Sequence, residues 1–159
     1  MQAGDVVFAH SNGLMGRAIR FGEHLRWKKG SHWNHACVLS RQDEDGTWYV
    51  IQADLRGVNE ATLESVGEHV VIPLPLFVDR NKVLEFTHAQ LGQKYSILSI
   101  LSIVTDIISP KWFPEVRKDY TWICSALVGE ALRYGGWLKN WGSIYTPTPS
   151  CLYEAFILE

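Results

Sequence analysis

NHACVLSRQDEDGTWYVIQA, residues 34–53, is the stretch on which the fold turns. Asn34–Ser40 and Thr47–Ala53 are rich in β-branched and aromatic residues. The polar run Arg41–Gly46 between them ends in glycine. That pattern predicts a β-hairpin. Strand alternation puts Trp33, His35, Cys37 and Leu39 on one face, and Trp48, Val50, Gln52 and Asp54 on one face of the partner strand. Pairing Arg41 with Gly46, or Ser40 with Thr47, sets His35 directly opposite Gln52, so the two side chains are expected to meet.

Outward from the hairpin, Val6-Val7-Phe8 after Gly4-Asp5 reads as a short buried strand. Asn12–Trp27 carries Leu14, Met15, Ala18, Ile19 and Leu25 at helical spacing, with Arg17, Arg20 and Arg26 on the opposite face. Val70–Leu76 (VVIPLPL) is another apolar strand, and its two prolines point to a sheet edge or a strand end. Asp79 is placed to cap a helix running to Leu91, stopped by Gly92. Further helices are expected over much of 96–108, from near Trp122 to Tyr134 before Gly135-Gly136, and after the turn Thr146–Ser150. Strand, helix, hairpin, strand and then helices make an α+β fold in one domain, residues 1–159.

Composition removes several classes. The chain has 159 residues, 15 Lys+Arg against 17 Asp+Glu, and 47% hydrophobic residues. A chain of this length buries roughly 70% of the surface its unfolded form exposes. Slight net negative charge lacks the basic footprint of a nucleic-acid binder, so no nucleic-acid partner is expected. Residues 1–9 show no signal-peptide pattern. Ser96–Ser109 (SILSILSIVTDIIS) is too short to span a bilayer and contains Asp106. The expected location is cytoplasmic, with export by another route left open. Three cysteines do not make a disulfide framework, so free thiols are expected.

Among those thiols, Cys37 in mid-strand and Cys151 near the last helix read as small core residues. Cys124 differs. It falls in the first turn of the helix in YTWICSALVGEALRYG (120–135), with Thr121 or Asp119 as cap. Cys124, Leu127, Val128, Ala131 and Gly135 share one helical face, which must turn inward. An inward thiol at the positive end of a helix has its thiolate favoured. A nucleophilic thiol needs a base and an orienting group. His35 is the candidate base and Gln52 the orienter, with Asp54, Glu60 and His32 as alternatives for the latter. Strand alternation sends His32 and His35 to opposite faces and no fourth ligand has suitable spacing, so no metal site and no cofactor are expected.

These residues, in this order, resemble the circularly permuted branch of the NlpC-type papain-like cysteine hydrolases, the YiiX/YebB-like group. The resemblance rests on Gly4–Phe8, on His35–Leu39 followed by Tyr49–Ala53, on Leu91–Ser96, and on Trp122–Val128, with Thr146-Pro147 as the family's C-terminal turn. It covers most of the chain. The order, histidine strand before cysteine helix, is its informative feature, because unpermuted relatives have the reverse. The resemblance implies a papain-like fold with a small antiparallel sheet or half-barrel packed on the Cys-bearing helix. It implies Cys124 as nucleophile, His35 as base and then acid, and Gln52 where the family usually carries a third polar residue, often Glu.

The implied chemistry is thiol acyl transfer to water. The substrate is an amide, such as a peptide bond of cell-wall peptidoglycan, or alternatively a lipid acyl group. A non-catalytic binding or structural module is the remaining alternative. Trp33, Tyr95 and Trp122 are expected to line the substrate site. The apolar segment 96–109 is expected as a core helix, with peripheral membrane contact as the alternative.

Overall fold

Two neighbouring apolar runs, Val6–Ala9 and Ala36–Leu39, are fully buried, so the sheet is covered on both faces at its centre. A computed structural model describes residues 1–10, 32–95, 121–122, 124–137 and 148–157. In it, β1 (Val6–His10), β2 (His35–Gln42), β3 (Trp48–Asp54), β4 (Gly57–Thr62) and β5 (Glu68–Ile72) form one antiparallel sheet. Its order is β4-β3-β2-β1-β5. A short parallel pair, β6 (Lys94–Tyr95) and β7 (Thr121–Trp122), lies apart from it. Three helices follow the sheet or interrupt its approach: α1 (Arg80–Ala89), α2 (Cys124–Tyr134) and α3 (Pro149–Ile157). The class is α+β. The expected helices at 12–27 and 96–108 lie outside the described residues, as does Thr146-Pro147.

The two faces of the sheet have different cover. Val6, Phe8, Ala36 and Val38 pack against Val128, Ala131 and Leu132 of α2, Leu152 of α3 and Val83 of α1. Val7, Cys37, Leu39 and Val50 pack against Leu63, in the 3₁₀ turn Leu63–Val66. A third group, Ile51, Ala53, Val58 and Leu127, joins β3 and β4 to the start of α2. Each fully buried aliphatic or aromatic side chain contributes roughly 1.5–3 kcal/mol. Together they fix α2 across β2 and β3.

Polar ties set the ends. Asp5 is 1% exposed. It accepts from the Gln2 and Leu74 backbone N–H groups and pairs with Arg80, joining the chain start to α1. Asp79 caps α1 by accepting from the Lys82 N–H at 3.2 Å, as its position predicts. The Asp79 N–H donates to the Gly135 carbonyl, binding the start of α1 to the end of α2. A Cβ at Gly135 would lie 2.6 Å from Val83 Cγ2, so only glycine lets the two helices meet there.

Several expectations need correction. The hairpin register is Cys37 opposite Gln52 and Leu39 opposite Val50, not His35 opposite Gln52. β2 runs on to Gln42, within the expected loop, β3 starts at Trp48 and not at Thr47, and a register shift falls between Leu39 and Arg41. Closing the hairpin at Gln42–Trp48 sets the outer pairs three residues from the expected register, and the irregularity takes back one, leaving the inner ladder two residues off. β4 has no counterpart in the sequence reading. Thr121 lies in β7 and is not a helix cap, since α2 begins at Cys124. β5 is an edge strand that stops at Ile72, before Pro73, in keeping with its prolines. α1 ends at Ala89, short of Leu91. No helix among the described residues is long and apolar enough to cross a membrane.

Candidate active site

The start of α2 is held by a relay of strands. Backbone bonds join β4 to the turn before β6: the Val58 N–H donates to Gln93 O, and the Gly92 N–H donates to Val58 O, both at 2.8 Å. β6 then pairs with β7, Lys94 with Thr121 and Tyr95 with Trp122. Cys124 follows two residues after β7 as the first residue of α2, 2% exposed. Gly57 makes the close approach feasible. It has φ of +104°, and a Cβ there would lie 2.5 Å from the Gln93 carbonyl oxygen.

His35 opens β2, half-buried. The β2–β3 ladder begins at Cys37–Gln52, one residue beyond Ala36. Below that point the Ala36 N–H donates to the Cys124 sulfur, and His35 shares a side-chain hydrogen bond with the same thiol. Gln52, 7% exposed, reaches His35 diagonally along the shared face, its Oε1 2.8 Å from His35 Nε2. The structure therefore brings together Cys124, His35 and Gln52, although through a register two residues different from the expected one.

The hydrogen-bond partners settle which imidazole nitrogen carries the proton. Asn59 Nδ2 points at two groups that can only accept, Asp54 Oδ1 at 3.0 Å and Gly57 O at 2.9 Å. Its Oδ1 is thereby turned to Gln52 Nε2 at 3.5 Å, which also donates to Asp54 Oδ2 at 3.3 Å. With the Gln52 amide nitrogen committed to acceptors, Oε1 faces His35 and must receive a proton from Nε2. Nδ1 is left for the thiol. This is the tautomer in which imidazole takes the thiol proton directly.

The electrostatics follow. Burial opposes ionisation of Cys124. The hydrogen bond and charge of His35 and the Ala36 and Ser125 N–H groups outweigh it, holding the thiol below its ordinary pKa. Burial likewise works against charge on His35. Cys124, the Gln52 hydrogen bond and the Asp54 charge together raise it. The pair is thus biased toward thiolate and imidazolium. Cys37 shows the contrast: burial, with Cys124 nearby, pushes its thiol up and keeps it protonated. All three cysteines are free, and Cys151 is half-buried in α3.

The other sequence candidates go elsewhere. Glu60 accepts from Ser40 at 2.9 Å and binds Arg41. His32 meets Glu68 at 2.9 Å and stacks on His10. Asp54 does not touch His35 but stands behind Gln52. Trp33 packs edge-on to His32 and against Tyr153 of α3. The side chains of Tyr95 and Trp122 lie outside the described residues, as does segment 96–109. Among the described residues no group of three or more His, Cys, Asp or Glu is placed to hold a metal ion. The sequence reading missed Asn59, which lies directly across from Gln52 on the unforeseen β4.

The chain matches no protein-family model and no curated protein.

Proposed function

We infer that the chain is a cysteine hydrolase of the permuted NlpC-type, papain-like kind, which cleaves an amide or peptide bond through an acyl-enzyme. The observation that carries this reading is the alignment of Cys124, His35 and Gln52, with the thiol buried at a helix start and its pKa lowered. In this reading Cys124 gives its proton to His35 Nδ1, and the thiolate attacks the carbonyl carbon. The Ser125 N–H helps hold the thiolate, and in this reading N–H groups of the first turn of α2 take the developing oxyanion. The imidazolium then protonates the leaving amine, and the neutral imidazole activates the water that releases the acyl group. Gln52 holds the ring through both steps. Peptide stems of peptidoglycan are a substrate class consistent with the resemblance.

The test is incubation of wild type and Cys124→Ala with a panel of muropeptides and, separately, acyl lipids. Cys124-dependent amide cleavage is the expected result. Cys124-dependent release of fatty acid alone overturns the amide reading. A Cys124 thiol that reacts with iodoacetamide no faster than Cys37 or Cys151, together with no turnover, overturns hydrolysis altogether and leaves a binding or structural module.

A further inference from the structure

The β3–β4 turn puts a carboxylate two residues from Gln52, and its two oxygens face different tasks. Asp54 Oδ1 closes the turn, accepting from the Arg56 N–H at 2.8 Å and Asn59 Nδ2 at 3.0 Å. Oδ2 faces the Gln52 amide nitrogen and is also bound by Arg56 at 2.7 Å. Closing the turn does not require the second of these directions. We propose that Asp54 is a positioning residue for His35, acting through Gln52: Oδ2 turns the Gln52 amide so that Oε1 receives the His35 Nε2–H, and the carboxylate charge stabilises the imidazolium. The proposal rests on the cysteine-hydrolase reading and deepens it.

The step balances within the site. The Cys124 S–H bond breaks, its proton moves to His35 Nδ1, and the electron pair stays on sulfur. Nε2 keeps its hydrogen, Gln52 stays neutral, and Asp54 takes no proton. A neutral amide orients imidazolium without supplying charge, and the charge it lacks sits immediately behind it. His35 is faced by Cys124 from α2, by Cys37 on its own strand, and by Gln52 and Asp54 from β3. Arg56 is the opposing cation. Its side chain is 73% exposed against 27% for Asp54. Water therefore screens the cation more than the anion, and a net negative field remains at the ring.

The test is the pH profile of iodoacetamide alkylation at Cys124, mapped by mass, on the intact chain. Wild type, His35→Ala, Asp54→Asn and Arg56→Ala are compared, with thermal melts on each. Asp54→Asn keeps the shape and removes the charge, so the imidazolium should lose its proton earlier and the upper end of the thiolate–imidazolium plateau should fall by about 0.5–1 unit. Arg56→Ala removes the compensating cation, so that upper end should rise, by less. Profiles of both variants that superimpose on wild type, while His35→Ala loses the low-pH limb, overturn the proposal and leave the hydrolase reading standing. An unmoved or lowered upper end in Arg56→Ala overturns it even where Asp54→Asn does not fold. An ordinary thiol profile in wild type overturns both.

Discussion

Replacing Gln52 by Glu tests the electrostatic arrangement of the site through stability, without any substrate. The substitution is nearly isosteric and adds a negative charge. Here it would put a second carboxylate where Gln52 Nε2 now lies 3.3 Å from Asp54 Oδ2. Two unit charges at about 4 Å repel by about 4 kcal/mol at an effective dielectric constant near 20. Rotation of the new carboxylate and the attraction of Arg56 reduce this to about 2–3 kcal/mol. A penalty of that size raises one carboxyl of the pair by about 2 units. The sign follows from linkage. A folded-state pKa above the unfolded value means the folded variant binds the extra proton, so its stability falls as pH rises through that range. The deficit relative to wild type should be small near pH 4 and reach about 2–3 kcal/mol by pH 8. Urea denaturation across that range reads it directly. Combining Gln52→Glu with Asp54→Asn should remove most of the deficit. A deficit that is flat with pH, or unchanged in the double variant, would refute the reasoning.

Native-state labelling at pH 7 should modify Cys124 well before Cys37, because the first thiol is held below its ordinary pKa and the second is pushed up by burial. Peptide mapping that finds Cys37 labelled first contradicts the assignment. Gly57→Ala should cost about 2–4 kcal/mol, since it forces a side chain onto a left-handed φ and against the Gln93 carbonyl. A urea midpoint equal to that of wild type would show that the β4–β6 contact is not tight. Arg80→Ala should cost about 2–4 kcal/mol by stranding the buried Asp5, whereas Asp5→Asn should cost less, because the group left behind is the more exposed guanidinium. The reverse order of melting temperatures would reject that account.

The central hairpin was legible because its strands alternate in character and its loop is polar. Its register was not, since neither the loop 43–47 nor the bulge between Leu39 and Arg41 carries a mark in residue type. His35 and Gln52 meet all the same: a shift by two residues keeps both on one face, and a glutamine side chain reaches along the diagonal. β4 escaped notice because Gly57–Thr62 has one large aliphatic residue, Val58, and its turn, Leu55-Arg56, lacks the Asn-Gly type of signal. Missing β4 hid Asn59, and with it the reason the Gln52 amide points as it does. Cys124 was legible from the helical period of 124–135, whereas the strand that leads into it was not, being only two residues long.

Cys124 and His35 lie far apart along the chain. The Ala36 N–H and His35 reach Cys124 only once α2 has docked on β2. Before that moment Cys124 is an ordinary thiol in an ordinary peptide. Its reactivity therefore reports the docking of α2 on β2. A brief alkylation pulse at mildly acidic pH, delivered at successive times during refolding, would date the docking of α2 at the residue where it matters.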